Sequence, residues 1–264
     1  MSGPELAGWE QSEFSAERLT RTVYRKGSGT AVIVIHEIPG ITPKVQEFGE
    51  RVVSRGHTVF MPSLVGTPGR EPSGTYLGRS MLRVCIAKEF SNWATRSTSP
   101  VIGYLRALAT HAHAECGGPG VGAVGMCFSG GFALAMMVDE TTVAPVLSQP
   151  SMPFAVGKGR SADLGVSDAD LEIIRARAQS GCEVLGLRFS HDKFVPDSRW
   201  DALRAALGDR FIAVTLDSSP ANVHGHKRAA HSVLTEDLDD RPGTPTRGAL
   251  DQVLDFFDAK LAPA

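Results

Sequence analysis

Six uninterrupted apolar runs, at residues 31–35, 58–61, 121–126, 143–147, 183–189 and 211–216, are separated by stretches of helical periodicity, and this alternation limits the chain to few architectures. Apolar side chains at consecutive strand positions, rather than at every second one, mean that both faces of the sheet are covered. The segments 43–55, 100–115, 168–179, 197–207 and 249–261 read as helices; Ser99 and Pro100 open the second, and Ser167 precedes the third. Strand and helix in turn specify an α/β fold with a doubly wound, mostly parallel sheet and helices on both faces. Residues 19–26 are expected to add an edge strand, and residues 1–15 to be loosely tied. With 264 residues and 42% hydrophobic composition, the chain is expected to form one domain around one large core.

Composition excludes several partners. Lys and Arg total 27 against 29 Asp and Glu, a net charge of −2, and no run of like charge suggests a nucleic-acid or membrane surface. The expected partner is a small molecule. The first residues carry Glu5, Glu10, Glu13 and Glu17 with no apolar segment typical of a secretory signal, and no stretch is apolar enough to span a bilayer, so a cytoplasmic protein is expected. Cys85, Cys116, Cys127 and Cys182 are far apart and read as free thiols rather than as a disulfide framework or zinc site.

Cys127 ends one of the apolar strands. The run Gly125-Met126-Cys127-Phe128-Ser129-Gly130-Gly131 then opens a helix. This strand, tight turn and helix is the pattern of a nucleophile elbow, as in α/β-hydrolases, with cysteine in place of serine. Small residues flank the nucleophile because the turn brings the strand and helix backbones too close for larger ones.

A nucleophile needs a base and an orienting acid, which in this fold follow it in the order acid, then histidine. Asp192 lies three residues past the strand 183–189 and is the candidate acid; its plainer reading is an Asx turn or helix cap. After strand 211–216 three histidines compete, His224, His226 and His231. Metal binding by these histidines is a weak reading, because no carboxylate stands in the run. His111 and His113 fall on a helix away from these loops. The long segment 63–99, rich in glycine and proline before a patchy helical stretch at 79–93, is expected either to wall or cover the site or to pack on its rim.

Four motifs in order, Gly125 to Gly131, Asp192-x-Phe194-Val195-Pro196, His36-Glu37-Ile38-Pro39-Gly40 and His231-Ser232, resemble the dienelactone hydrolase family, and the resemblance covers nearly all the chain. It implies a Cys-His-Asp triad and selects His231, because the family's histidine is followed by serine and precedes the final helix. It also implies that Glu37 holds the resting thiol. The chain departs from the family pattern at Ser129 for a glycine, at Lys193 for a histidine, and at Thr235, where the family places an arginine.

The expected chemistry is hydrolysis of a small ester or lactone. Cys127 attacks as a thiolate, the N–H groups of Phe128 and Ile38 form the oxyanion hole, and Asp192 orients His231, with no metal or organic cofactor. A carboxylate-bearing lactone needs cations at the mouth, for which Arg79 and Arg83 are the candidates. The rival readings are a general carboxylesterase or thioesterase on the same machinery, and a non-catalytic binding protein whose Cys127 is a redox-sensitive thiol.

Overall fold

A computed structural model describes residues 6–86, 99–151 and 161–263. Its eight strands are β1 (Glu10–Ala16), β2 (Leu19–Gly27), β3 (Ala31–Ile35), β4 (Thr58–Pro62), β5 (Val121–Met126), β6 (Thr142–Ser148), β7 (Val184–Phe189) and β8 (Phe211–Leu216). They form one sheet in the order β1-β2-β4-β3-β5-β6-β7-β8, with β2 antiparallel to both neighbours and the pairs from β4 to β8 parallel. The helices are α1 (Pro43–Ser54), α2 (Gly74–Ile86), α3 (Pro100–Cys116), α4 (Gly130–Met136), α5 (Asp168–Gln179), α6 (Asp197–Leu207) and α7 (Pro245–Leu261).

Every residue of β3, β4, β5 and β7 is buried, which explains their unbroken apolar runs. Successive side chains point to opposite faces. Ala31, Ile33 and Ile35 join the apolar cluster that takes in Leu105, Phe132, Ile174 and Trp200 of α3 to α6. Val32 and Val34 join the other, with Phe48 of α1 and Val253 and Phe257 of α7. Helix starts follow local chemistry: Thr42 accepts from Val45 N–H at 3.3 Å and Ser167 from Asp170 N–H at 3.0 Å, satisfying donors that a first turn leaves open. Ser99 occupies the N-cap of α3 but makes no side-chain cap bond; Pro100 supplies the start.

The N-terminal expectation is corrected. Residues 19–26 lie in an inner strand, and the edge is β1, within a segment expected to be loose. Its sequence, EQSEFSA, shows little apolar alternation, so the strand is recruited by a few tertiary contacts. Phe14 packs edge-on against Tyr104 at 5.5 Å, and ahead of the strand the buried Trp9 donates to Glu50 at 2.8 Å.

The sheet grows outward from β3 first on one side, then on the other. This switch point lies between β3 and β5, so the loops leaving their carboxyl ends face each other across a crevice. The β3 loop is fixed by the fully buried His36. Its Nε2 accepts from the N–H of Leu64 at 3.0 Å and of Val65 at 3.4 Å, which leaves the proton on Nδ1 to donate to Glu37 O at 2.8 Å.

Burial pushes the His36 pKa down to about 4, against the opposing effect of its bond to Glu37 O, so the ring is neutral at ordinary pH. The unfolded chain takes up a proton on this ring as pH falls through about 6.5, whereas the folded chain does so only near 4. Stability is therefore expected to fall by about 3 kcal/mol across that window on account of this residue. Urea unfolding of the parent and a His36→Leu variant, stepped between about pH 7 and 4, isolates the contribution. Equal slopes in the two proteins would refute it.

Candidate active site

Strand β5 ends in a turn that places Cys127 at φ 56°, a left-handed conformation that costs a non-glycine residue about 1–2 kcal/mol. Close packing enforces it. A Cβ on Gly125 would lie 2.0 Å from Ser129 O, and one on Gly130 would lie 2.6 Å from Pro150 Cα. Ser129, at a glycine position of the family pattern, uses its hydroxyl as a brace: Oγ accepts from Met126 N–H at 2.8 Å and lies 2.9 Å from both Ile35 O and Met126 O. It ties the end of β3 to the end of β5.

The candidate acid and base meet beside this turn. His231 Nδ1 lies 2.6 Å from Asp192 Oδ2, with the Asp192 side chain buried. Asp192 Oδ1 accepts from Phe194 N–H at 2.9 Å, so the Asx turn and the histidine partnership occur together in one residue. The Phe194 ring stands edge-on to His231 at 5.3 Å. Asp237, which the sequence did not single out, fixes the histidine loop by accepting from the N–H groups of His231 at 2.8 Å and Ser232 at 3.0 Å. His224 is exposed, and His226 lies 2.7 Å from Asp217 O through Nδ1; neither takes the place beside Asp192.

Burial works against a charge on His231. The charge on the Cys127 sulfur, hydrogen bonds to Asp192 and Cys127, and the Asp192 charge outweigh it, and the pKa is raised well above that of an ordinary histidine. An imidazolium is favoured next to the sulfur.

The partner of the Cys127 sulfur differs from expectation. The Cys127 sulfur lies 3.1 Å from the hydroxyl of Ser151, whose N–H also donates to Cys127 O at 3.0 Å. Glu37, expected to hold the thiol, is buried in a cage of neutral donors: Ser232 Oγ at 2.7 Å, Gln149 Nε2 at 3.3 Å, and Thr235 Oγ1. Thr235 thus meets Glu37 at the position where the family pattern has arginine. Ser151 and Gln149 follow β6, the neighbour of β5; their place at a strand end was a signal, but nothing in their residue types pointed to a role.

These groups surround a cavity of about 370 Å³ whose walls include Cys127, Ser151, His231, Glu37, Ile38 and Phe128. Pro72 and Leu77 of the 63–99 segment line it too. Arg79 stands exposed on α2 and is not among the residues that line the cavity; the other candidate, Arg83, has a side chain outside the described residues. Among the described residues no group of His, Cys, Asp and Glu is arranged to hold a metal, and no helix is long and apolar enough to cross a membrane.

The fold is shared with solved proteins. A dienelactone hydrolase from Anabaena variabilis is 15% identical, with a TM-score of 0.62 over 96% of this chain and 99% of that one. A cold-adapted esterase from an Arctic intertidal metagenomic library is 16% identical, with a TM-score of 0.58 over 98% and 97%. A dienelactone hydrolase-like promiscuous phosphotriesterase from metagenomic libraries is 15% identical, with a TM-score of 0.60 over 96% and 98%. No curated protein matches the chain. The sequence profile of the dienelactone hydrolase family matches residues 20–260, nearly the whole length, and the chain belongs to that family of α/β-hydrolases.

Proposed function

We propose that this protein is a cysteine-dependent hydrolase that cleaves a small carboxylic ester or lactone through a thioester on Cys127. The observation that carries this reading is the line from Asp192 through His231 to a sulfur held on a strained turn at the wall of a cavity. Strain of this kind persists only where the surrounding structure enforces it, and it clusters at reactive groups.

In the first half-reaction the thiolate adds to the ester carbonyl carbon. The N–H groups of Phe128 and Ile38, both residues of the cavity wall, are assigned to the oxyanion. The adduct collapses with His231 giving its proton to the departing alkoxide, leaving the acyl group on sulfur. His231, now neutral, takes a proton from water, the hydroxide adds to the thioester, and collapse releases the acid and returns the thiolate with an imidazolium. Asp192 fixes the ring through Nδ1, so that Nε2 serves the reaction. Ser151 donates to the sulfur whenever it is charged, because a thiolate can only accept. Glu37 acts as a positioning residue: its cage ties the loop carrying Ile38 to the loop carrying His231. A nucleophilic thiol suits a reducing cytoplasm, where we expect the protein to act.

Cys127→Ala should abolish turnover of p-nitrophenyl esters and lactones, and quenched reactions of the parent should show an acyl adduct on the Cys127 peptide by mass spectrometry. Turnover surviving in the Cys127→Ala protein would reject the mechanism. Asp192→Asn should lower kcat/KM by about 10²–10⁴-fold. The sign of its pH effect follows from the raised pKa of His231: the imidazolium, and any stability it adds, is present below that pKa and is lost as pH rises through it. Without Asp192 that pKa drops, so the alkaline limb of the kcat/KM profile should move to lower pH; an unmoved limb would show that another group sets it. Ser151→Ala removes one hydrogen bond to a charged sulfur and should lower kcat/KM by about tenfold; an unchanged value would mean that the contact serves only packing.

A further inference from the structure

We propose that the cavity takes a neutral ester with an apolar acyl or alcohol part and turns away substrates that carry a carboxylate. This rests on ester cleavage at Cys127 and adds the substrate class.

Two features of the wall point the same way. Pro39, Pro72, Leu77, Phe128 and Phe194 give it an apolar lining, and Leu77 and Phe194 remain 42% and 59% exposed, which leaves apolar surface at the mouth for a substrate to cover. The charged lining residues other than His231 are Glu37 and Glu236, and among the described residues no lysine or arginine lines the cavity. The Glu37 cage consists of neutral hydroxyl and amide groups, so its charge is solvated but not cancelled. Glu236 responds to the same field: partial burial and then the charges of Glu37 and Glu71 raise its pKa against the smaller opposing effect of Lys44.

A carboxylate entering this space gives up its water without gaining a cation from the described residues, and it does so beside two carboxyl groups. Among the described residues the cation beside the sulfur is the His231 imidazolium, and it is already engaged by Asp192 and Cys127. A neutral ester pays none of these costs and gains from covering the apolar wall.

The test uses p-nitrophenyl valerate and the p-nitrophenyl monoester of glutaric acid, which share a five-carbon acyl chain and differ in a terminal carboxylate. In the full-length protein the valerate is expected to be favoured in kcat/KM by at least about tenfold. In Glu236→Lys that preference should shrink severalfold. A glutarate preference equal to or greater than that for valerate in the parent would overturn the proposal. A second measurement needs no turnover: alkylation of Cys127 by neutral iodoacetamide and anionic iodoacetate, followed on the Cys127 peptide in the parent and in Glu236→Lys. The iodoacetate rate should rise in the variant relative to the iodoacetamide rate. That result with neither ester cleaved would uphold charge selection and reject the hydrolase reading. Ester cleavage without charge preference would reject charge selection alone.

Discussion

The close approach of the β5 and α4 backbones at Cys127 is the constraint on which the rest of the site depends. With 2.0 Å between a notional Gly125 Cβ and Ser129 O, strand and helix cannot be joined by a relaxed turn, and Cys127 is driven to positive φ. That conformation directs its side chain away from both elements and into the cavity. Ser129 shows how the constraint can be met without glycine: its hydroxyl accepts from Met126 N–H and packs against Ile35 O, so a polar side chain becomes part of the backbone scaffold. Pro150, pressed against Gly130, then fixes where Ser151 meets the sulfur.

A second buried structure connects the elements around that turn. Glu37 leaves β3, Gln149 leaves β6, and Ser232 and Thr235 belong to the histidine loop; the last three converge on the Glu37 carboxylate. Isolated burial of a carboxylate is costly, and three donors from two segments offset it. The cage therefore does for the loops what Ser129 does for the strands. It sets the spacing between the Ile38 loop and His231, while the neutral His36 clamps the far side of the Ile38 loop to Leu64 and Val65.

Local patterns made much of this legible in the sequence. The strands were readable because full burial leaves continuous apolar runs, and Cys127 because the turn demands small neighbours at fixed offsets. Asp192 was readable from its position after a strand. The choice among His224, His226 and His231 was not local; it needed the family pattern, and spatially it depends on Asp237 gripping the backbone at 231 and 232. Strand β1 escaped because its one large apolar residue, Phe14, carries no periodicity; it pairs because Tyr104 and His111 receive that ring. Ser151 and Gln149 were invisible for a related reason: their role comes from β6 lying beside β5, which is set by the sheet order and not by the residues themselves.

The exchange of arginine for threonine at position 235 shows how one side chain can reset both the frame and the electrostatics. An arginine there would meet the Glu37 carboxylate as a charge-assisted partner and cancel its field at the cavity wall. Threonine keeps the hydrogen bond, and with it the loop spacing, but leaves the charge in place. Under the proposed mechanism the negative charge of the thiolate passes to the oxyanion of the tetrahedral adduct, in a cavity lined by Glu37 and Glu236. The two backbone N–H dipoles and the His231 imidazolium have to balance it without help from a cationic side chain among the described residues. Precise placement of those dipoles consequently matters more here than in a site with an arginine, which gives the neutral His36 clamp on the Ile38 loop its mechanistic weight.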